Sequence, residues 1–224
     1  MDGDRREFLR QSWGAAALAI GGQAGAPPGK LAETGELIAR MTWLNEPASH
    51  VRSDDKLVVR TRGKTDFWRK TFYGYVTDNG HFLHLSAPAE FSFQARVGGR
   101  YAAQYDQAGL MVRISATCWL KTSVEHEPGR AGRLGVVVTN AGYSDWSTQP
   151  FTGDEVALRV RREGADYVVD ASADGREWEQ IRIARLHEDR TALEVAAGLY
   201  ACSPKGAGFV AEFLYLEAAP GRLK

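Results

Sequence analysis

Short segments in which apolar and polar residues alternate recur along most of the chain, and they constrain the fold more than any other feature. Such alternation is typical of antiparallel strands that bury one face and leave the other in water. Candidate strands are centred on residues 57–59, 82–85, 91–97, 110–114, 119–125, 134–139, 156–161, 167–171, 178–183, 195–200 and 209–216. No helical periodicity is sustained over three turns, so the sequence predicts an all-β protein.

Turn residues between these segments support the same architecture. The dipeptides Asn79-Gly80 and Asp174-Gly175 tolerate positive φ and predict tight hairpins, and residues 163–166 predict another. Roughly a dozen short strands without helical crossovers indicate a two-sheet sandwich of the jelly-roll type. One such domain accounts for 224 residues, and we assign it to residues 37–218, after a Pro-, Gly- and Ala-rich linker at residues 27–36.

The N-terminal residues resemble a twin-arginine export signal. Arg5-Arg6 is followed by Phe8-Leu9, by a short apolar run at residues 13–20, and by an A-x-A cleavage site at residues 24–26, although the proline after it is unfavourable. The apolar run is far too short to cross a bilayer. We therefore expect residues 1–26 to be a signal peptide, the mature form to have no membrane span, and the protein to be periplasmic or secreted. The alternative is an unstructured N terminus that happens to contain two arginines.

Charge balance and cysteine content exclude several classes of function. Lys and Arg total 28, as do Asp and Glu, so the formal net charge is zero and argues against nucleic acid as a partner. Cys118 and Cys202 are the only cysteines; they could form a disulfide, but we expect two unpaired, buried thiols. No spacing suggests a zinc site, and Asp189, in a polar segment, is expected to be solvated.

A set of short motifs spread over most of the chain carries a resemblance to a known family. The motifs are Thr65-Asp66-Phe67-Trp68, residues 105–110, Trp119-Leu120-Lys121, Glu125, Val138-Thr139-Asn140, residues 144–147, residues 172–175, Trp178 and residues 198–204. Together they resemble a family of bacterial and fungal domains of unknown function, also labelled regulation-of-enolase-protein-like, in the concanavalin A-like lectin/glucanase superfamily. The resemblance covers about residues 37–216 and implies a single, curved concanavalin A-like jelly-roll β-sandwich.

The resemblance leaves the activity open, because a fold does not fix a function. It implies no obligatory cofactor. Calcium is common in the superfamily and remains a possible ligand, although no loop of this chain has the dense spacing of oxygen ligands that calcium prefers.

Side-chain parity along the strands predicts a ligand-binding face. Around Cys118, one strand face is apolar, whereas the opposite face carries Trp119, Lys121 and Glu125. If the neighbouring strands share the sheet, its non-core face gathers these three with Arg113, Thr139 and Arg159. Such a concave face suits a polar ligand such as a sugar. The alternative is a solvated face whose charges pair across strands.

Aromatic residues in turn-rich segments add to this prediction. Trp68, Tyr143 and Trp146 fall outside the clean alternating runs, and an exposed indole gives a pyranose ring a flat platform while Asp145 or Asn140 accepts its hydroxyls. The alternative is that the tryptophans close the ends of the sandwich while Asp66 and Asp145 cap turns.

These observations predict an exported, non-catalytic, lectin-like module that binds a polar ligand, namely carbohydrate. Its predicted ligand-binding residues are Arg113, Trp119, Lys121, Glu125, Thr139, Asp145, Trp146 and Arg159. The competing classes are a glycan-active hydrolase or lyase and a protein-interaction domain.

Hydrolysis would need paired acids. Glu125 and Glu127 share a strand face, but the superfamily pattern Glu-x-Asp-x-x-Glu is absent, and Pro128 predicts that Glu127 lies at a strand end in solvent. We therefore assign no catalytic residue.

Overall fold

The computed structural model of the protein describes residues 34–53, 55–190 and 194–221. The predicted signal peptide and residues 27–33 of the predicted linker lie outside these ranges. The last three linker residues are not extended chain, because they begin helix α1 (Thr34–Ala39), which buries Leu37 and Ile38. In the described part of the chain, no helix has the length and apolarity to cross a membrane.

Sixteen strands follow α1 in the ranges that the structure describes. They are β1 (Thr42–Leu44), β2 (Ser49–Arg52), β3 (Leu57–Arg60), β4 (Phe67–Arg69), β5 (Val76–Asp78), β6 (His81–Ala87), β7 (Phe91–Arg100), β8 (Gln107–Ser115), β9 (Cys118–Glu125), β10 (Gly132–Asn140), β11 (Tyr143–Phe151), β12 (Glu155–Glu163), β13 (Asp166–Ser172), β14 (Glu179–Arg185), β15 (Val195–Cys202) and β16 (Val210–Pro220).

The strands form a sandwich of two antiparallel sheets, as predicted. The front sheet has the order β1-β6-β15-β8-β9-β10-β11, and the back sheet has the order β14-β13-β12-β7-β16-β3-β2. The main core lies between them, where Leu110 and Leu120 of the front sheet are buried in one cluster with Phe93, Leu158 and Phe213 of the back sheet. A separate two-stranded hairpin, β4-β5, belongs to neither sheet.

All of the predicted strands are present, but β1, β2, β4, β5 and β11 were not predicted. The long strand β11 was overlooked because it pairs with β10 alone and its residues are mostly exposed, so its sequence does not alternate cleanly. Consequently Trp68 and Trp146, expected in loops, lie in strands β4 and β11.

Two of the three predicted hairpins are correct. Gly164 and Gly175 have φ of 67° and 78° in the turns that follow β12 and β13. The prediction for Asn79-Gly80 is wrong, because this dipeptide joins β5 to β6, which do not pair with each other. Gly80 is needed for another reason: a Cβ there would lie 2.5 Å from both the Phe67 ring and Cys202 Sγ.

The cysteines are free and buried, which confirms the expectation. Cys118 belongs to the main core, whereas Cys202 belongs to a second cluster that contains Trp119. Because Trp119 follows Cys118 directly in β9, these clusters lie on opposite faces of the front sheet. The two thiols are thus kept apart by the sheet itself.

The expectation that Asp189 is solvated is wrong. Its side chain is fully buried in an ion pair with Arg162, whose Nε donates to Oδ2 at 3.0 Å. Tyr167 donates a further hydrogen bond to the same oxygen at 2.6 Å, and Arg162 Nη1 donates to the Pro88 carbonyl at 3.0 Å. The network satisfies two charges that would otherwise be costly to bury.

Candidate functional site

The β4-β5 hairpin covers much of the outer face of the front sheet, which we define as the face turned away from the main core. A second hydrophobic cluster fills the space between them; its buried residues are Phe67, Trp68, Phe82, Met111, Trp119, Val137, Tyr200 and Cys202. Phe67 packs edge-on against Trp119 and Tyr200, with ring centroids 6.3 and 6.5 Å apart. The predicted open face is therefore closed over part of its area.

Two predicted ligand-binding residues hold this cover in place. Arg113 donates two hydrogen bonds of 2.7 Å to the Asp78 carboxylate at the end of β5. Thr139 is fully buried and lies 2.8 Å from the Ser144 hydroxyl, which in turn accepts a hydrogen bond from the Arg69 backbone amide. Arg113 and Thr139 therefore attach the hairpin to the front sheet instead of facing a ligand.

The prediction that Trp119 stacks on a sugar is also wrong. Parity placed it correctly on the outer face, but the hairpin buries it to 0% exposure. Its indole Nε1 finds no hydrogen-bond partner among the residues that the structure describes. Trp119 thus forms part of the floor beneath the hairpin and offers no surface to solvent.

Arg159 lies on a different sheet from the other predicted residues. Strand β12 belongs to the back sheet, where Arg159 Nε donates to Asp170 at 2.9 Å and the guanidinium lies 4.3 Å from the centre of the Trp178 ring. Parity along a strand gives the face of a side chain but not the sheet to which the strand belongs. Arg159 therefore belongs to the back sheet and does not lie on the outer face of the front sheet.

Beside the hairpin, a cavity of about 170 Å³ opens on this outer face; we call it the aromatic pocket. Its lining residues come from the hairpin, from β8, β9 and β11, and from the loops before β8 and after β15. They are Asp66, Trp68, Tyr73, Tyr75, Gln104, Tyr105, Gln107, Lys121, Glu125, Trp146, Pro204 and Lys205. Of the predicted ligand-binding residues, Lys121, Glu125 and Trp146 meet here.

The floor of the pocket holds a buried ion pair. Lys121 Nζ donates to Asp66 Oδ1 at 3.1 Å and to Gln107 Oε1 at 2.9 Å, and the Tyr200 hydroxyl also donates to Gln107 Oε1 at 3.1 Å. Burial opposes the charge on Lys121, but Asp66, Cys202 and Glu125 together outweigh it, so the pKa of Lys121 is raised. Lys121 thus stays protonated, and its charge is already paired with Asp66.

Glu125 belongs to the same polar floor but not to the ion pair. The residue is only 6% exposed, and no hydrogen bond or ion pair of the described residues reaches its carboxylate. Burial raises the pKa of Glu125 to about 7, although Lys121 and Arg133 partly oppose the shift. The pocket therefore presents a carboxyl group that changes charge near neutral pH.

Glu127 does not act beside Glu125, and the expectation that it is solvated is wrong. Its side chain is 12% exposed, pairs with Arg133 at 3.3 Å and accepts a hydrogen bond from Gln104 at 3.3 Å. It does not line the pocket. The second carboxylate at the pocket is that of Asp66, which the sequence suggested only as a turn cap.

Aromatic rings form the walls of the pocket. The Trp68 and Trp146 rings are 6.4 Å apart at 84°, and Tyr73 meets Trp68 at 65° and 5.5 Å. Tyr75 stacks on Tyr73 at 5.7 Å. Burial, with Asp66 adding to it, raises the pKa of Tyr75 to about 12, so its phenol stays neutral and able to donate a hydrogen bond. Rings of several orientations thus line the pocket together with Glu125.

Strained backbone occurs in the Tyr105 loop and at the hairpin tip. Tyr105 has φ of 68°, and Lys70 and Phe72 at the hairpin tip have φ of 53° and 63°. Bulky side chains rarely adopt this left-handed conformation. Asp106 fixes the strained Tyr105 loop, because its carboxylate accepts hydrogen bonds from the Ala102 and Ala103 amides and from the Ser203 hydroxyl.

An open groove continues from the aromatic pocket across the hairpin tip. It has a volume of about 450 Å³ and shares Trp68, Tyr73 and Trp146 with the pocket. Asp145, a predicted ligand-binding residue, lines this groove with Tyr143 and pairs with Arg182 at 3.3 Å. Phe72 also borders it and is 92% exposed. The groove thus extends the aromatic surface beyond the pocket.

Sequence reasoning missed Asp66, Gln107 and the tyrosines of the pocket. The spacing Tyr73-Gly74-Tyr75 and the later Tyr105 were a usable signal, because exposed aromatic residues clustered in turn segments are uncommon without a role. As for metals, the described ranges contain no group of three or more His, Cys, Asp or Glu side chains placed to hold an ion.

Fold and site together define a concanavalin A-like β-sandwich whose front sheet carries a hairpin-covered, aromatic and acidic pocket. The chain belongs to the family described as "Protein of unknown function (DUF1349)", which matches residues 43–220. The family resemblance found in the sequence is thereby confirmed.

Individual relatives agree with this assignment. The chain is 40% identical over 178 residues to "Regulation of enolase protein 1" of Saccharomyces cerevisiae. The aligned region covers 79% of this chain and 87% of the relative. The crystal structure of a functionally unknown protein from Saccharomyces cerevisiae matches with a TM-score of 0.76 and 37% identity, over 84% of this chain and 99% of that chain. The GH43 protein BlXynB from Bacillus licheniformis matches with a TM-score of 0.60 at 16% identity, over 78% of this chain and 35% of that chain, and shows the fold alone.

Proposed function

We propose that the protein is a non-catalytic module that binds a carbohydrate in the aromatic pocket. The observation that carries the proposal is that the buried, unbonded carboxylate of Glu125 lines the same pocket as the indoles of Trp68 and Trp146. Sugar rings present apolar C–H faces that pack on indoles and hydroxyls that donate to carboxylates. A concave site with apolar walls and a few polar groups at its base is the usual form of a small-molecule site.

The groove supports a ligand longer than one sugar unit. It begins at Trp68, Tyr73 and Trp146, so a chain whose terminal unit occupies the pocket could continue over Phe72 and Tyr143. Each further ring would gain an aromatic contact. In this arrangement the pocket selects the end of the chain and the groove adds affinity for its length.

The test is a glycan array of the full-length protein, followed by calorimetric titration with the glycans that bind. Variant Trp146→Ala should lose binding because it removes one wall of the pocket. Trp178→Ala is the matched control, since it removes an indole from beside the back sheet, where Arg159 lies over it. A blank array for the wild-type protein, or equal losses in both variants, would contradict the proposal.

We also propose that the protein is exported through the Arg5-Arg6 signal, with the folded domain reaching the periplasm or the exterior. The support is the order of the arginine pair, Phe8-Leu9 and the short apolar run in the sequence. Replacing both arginines by lysine should retain the protein in the cytoplasm of a host with a twin-arginine system. Unchanged export of that variant would contradict the proposal.

One observation favours a second candidate, a glycan-active hydrolase or lyase. Glu125 has a pKa of about 7, as suits a general acid, and a second carboxylate, Asp66, lines the same pocket. Incubation of the protein with each glycan that binds, followed by product analysis, tests it. Catalysis requires turnover that Glu125→Gln abolishes while binding is retained; a bound glycan recovered intact would leave the binding function alone.

A further inference from the structure

Among the charged groups of the aromatic pocket, the Glu125 carboxylate has no ion-pair partner in the described residues. Lys121 is held by Asp66 and Gln107, and Arg133 forms its ion pair with Glu127 at 3.3 Å. Both cations that stabilise the ionised form of Glu125 are therefore bonded to other groups. A buried carboxylate without a hydrogen-bonded partner is costly, so a cation entering the pocket would relieve that cost.

The walls of the pocket are suited to the same kind of group. A cation within about 6 Å of an aromatic ring face is attracted by the ring quadrupole, most strongly by tryptophan. Trp68 packs against Trp146 at 84° and against Tyr73 at 65°, so rings of different orientation border the pocket and an ammonium inside it can approach more than one of them. Aromatic rings with an acidic group at their base are the typical environment of ammonium ligands.

The floor already stabilises one ammonium in this way. Lys121 Nζ lies 5.9 Å from the centre of the Trp119 ring and 5.6 Å from that of Tyr200, in addition to its bonds to Asp66 and Gln107. Lys121 itself opposes a second cation, but its charge is paired with Asp66. The other lining residue that opposes a cation is Lys205. It is exposed, and its charge is therefore screened by water and salt.

We propose that the sugar unit bound in the aromatic pocket carries a free ammonium group, which pairs with the Glu125 carboxylate beside the rings of Trp68, Tyr73 and Trp146. The ligand is then an amino sugar, or a glycan that ends in one. This inference rests on the proposed carbohydrate function and names its ligand class. An acetylated amine would lose the charge, and a hydroxyl in its place would leave the carboxylate without a counter-ion.

Calorimetric titration of the full-length protein at pH 7 with four probes tests the inference. The probes are the methyl glycosides of glucosamine, N-acetylglucosamine and glucose, and choline as an ammonium that is not a sugar. We expect the glucosamine glycoside to bind at least about tenfold more tightly than the two neutral glycosides, as is usual when a desolvated charge gains its partner. Glu125→Gln keeps the shape of the side chain and should abolish this preference.

Trp146→Leu provides a second, independent variant if Glu125→Gln does not fold. Leucine keeps an apolar wall but has no ring quadrupole, so the preference for the amine should decrease while neutral glycosides lose less. Trp178→Ala again serves as the control, and thermal melting establishes that each variant is folded.

The outcomes separate this inference from the proposed function. Neutral glycosides that bind as tightly as the glucosamine glycoside would overturn the inference and leave carbohydrate binding intact. Choline binding that depends on Glu125, with no sugar bound, would overturn both carbohydrate binding and the assignment of an amino sugar as the ligand. If none of the four probes binds, both proposals are overturned.

Discussion

The Lys121 ammonium lies 3.1 Å from the Asp66 carboxylate and joins the middle of the front sheet to the residue that directly precedes β4. Both side chains are nearly inaccessible, at 2% and 11% exposure. Glu125 lies on the same face of β9 but is not part of this pair. One ion pair therefore attaches the hairpin to the sheet and determines which carboxylate in the pocket remains available.

Breaking this pair from one side should destabilise the protein. Lys121→Met leaves Asp66 buried without its counter-ion, which typically costs about 3–5 kcal/mol of unfolding free energy. Equilibrium denaturation in urea measures the loss. The double variant Lys121→Met/Asp66→Asn should recover part of it, because neither charge remains. Additive losses in the double variant would show that the two residues do not stabilise each other.

The second buried ion pair, Arg162–Asp189, lies outside the pocket, so breaking it should lower stability without changing ligand affinity. Asp189→Asn removes the charge that Arg162 requires and should also cost about 3–5 kcal/mol. Ligand affinity of the folded fraction should not change, since neither residue lines the pocket or the groove. Denaturation and titration on the same sample check both parts. Loss of affinity without loss of stability would contradict the assignment.

Glu125 should make stability depend on pH in a direction that its burial determines. Its folded pKa of about 7 exceeds the ordinary value of 4.5, so the unfolded chain releases the proton first as pH rises. The contribution of Glu125 to stability is then fully present below about pH 4.5, decreases by up to about 1.4 kcal/mol per pH unit through this window, and becomes constant above about pH 7.

The charged and titratable groups around Glu125 set this window. They are Asp66, Tyr75, Tyr105, Lys121, Glu127 and Arg133. The measurement is the difference in unfolding free energy between wild type and Glu125→Gln from pH 4 to pH 8, because the subtraction removes the titration of other groups. A difference that is independent of pH would show that Glu125 has an ordinary pKa.

The groove predicts an effect of ligand length. Phe72→Ala should leave stability within about 0.5 kcal/mol of wild type, because the side chain is 92% exposed. It should also leave the affinity for a monosaccharide unchanged and reduce the additional affinity of longer glycans. Titration with a series of increasing chain length measures this. Val51→Ala, a similarly exposed residue at 68% in β2, is the control.

The sandwich could be predicted from the sequence because strand parity is a local property. Leu120 lies on the apolar strand face predicted around Cys118, and it is buried as expected. Parity also placed Trp119 on the correct face of the sheet, but the prediction that this face is open was wrong. The hairpin that buries it precedes it by about 40 residues and pairs only with itself, so no local pattern reveals where it packs.

The candidate site could be predicted only in part, for the same reason. Lys121 and Glu125 were identified from one strand, whereas Asp66, Tyr73 and Tyr105 reach the pocket through loops whose positions depend on tertiary contacts. The error for Arg159 was of a different kind, because parity does not show to which of the two sheets a strand belongs.

The hairpin tip between β4 and β5 supplies Tyr73 to the pocket and Phe72 to the groove, while Phe67 and Asp66 at its base attach it to the sheet. Different residues of one short segment thus attach the hairpin to the sheet and line the pocket and the groove. Sequence changes at Phe72 or Tyr73 would therefore alter the lining of the groove and the pocket while leaving the residues that attach the hairpin unchanged.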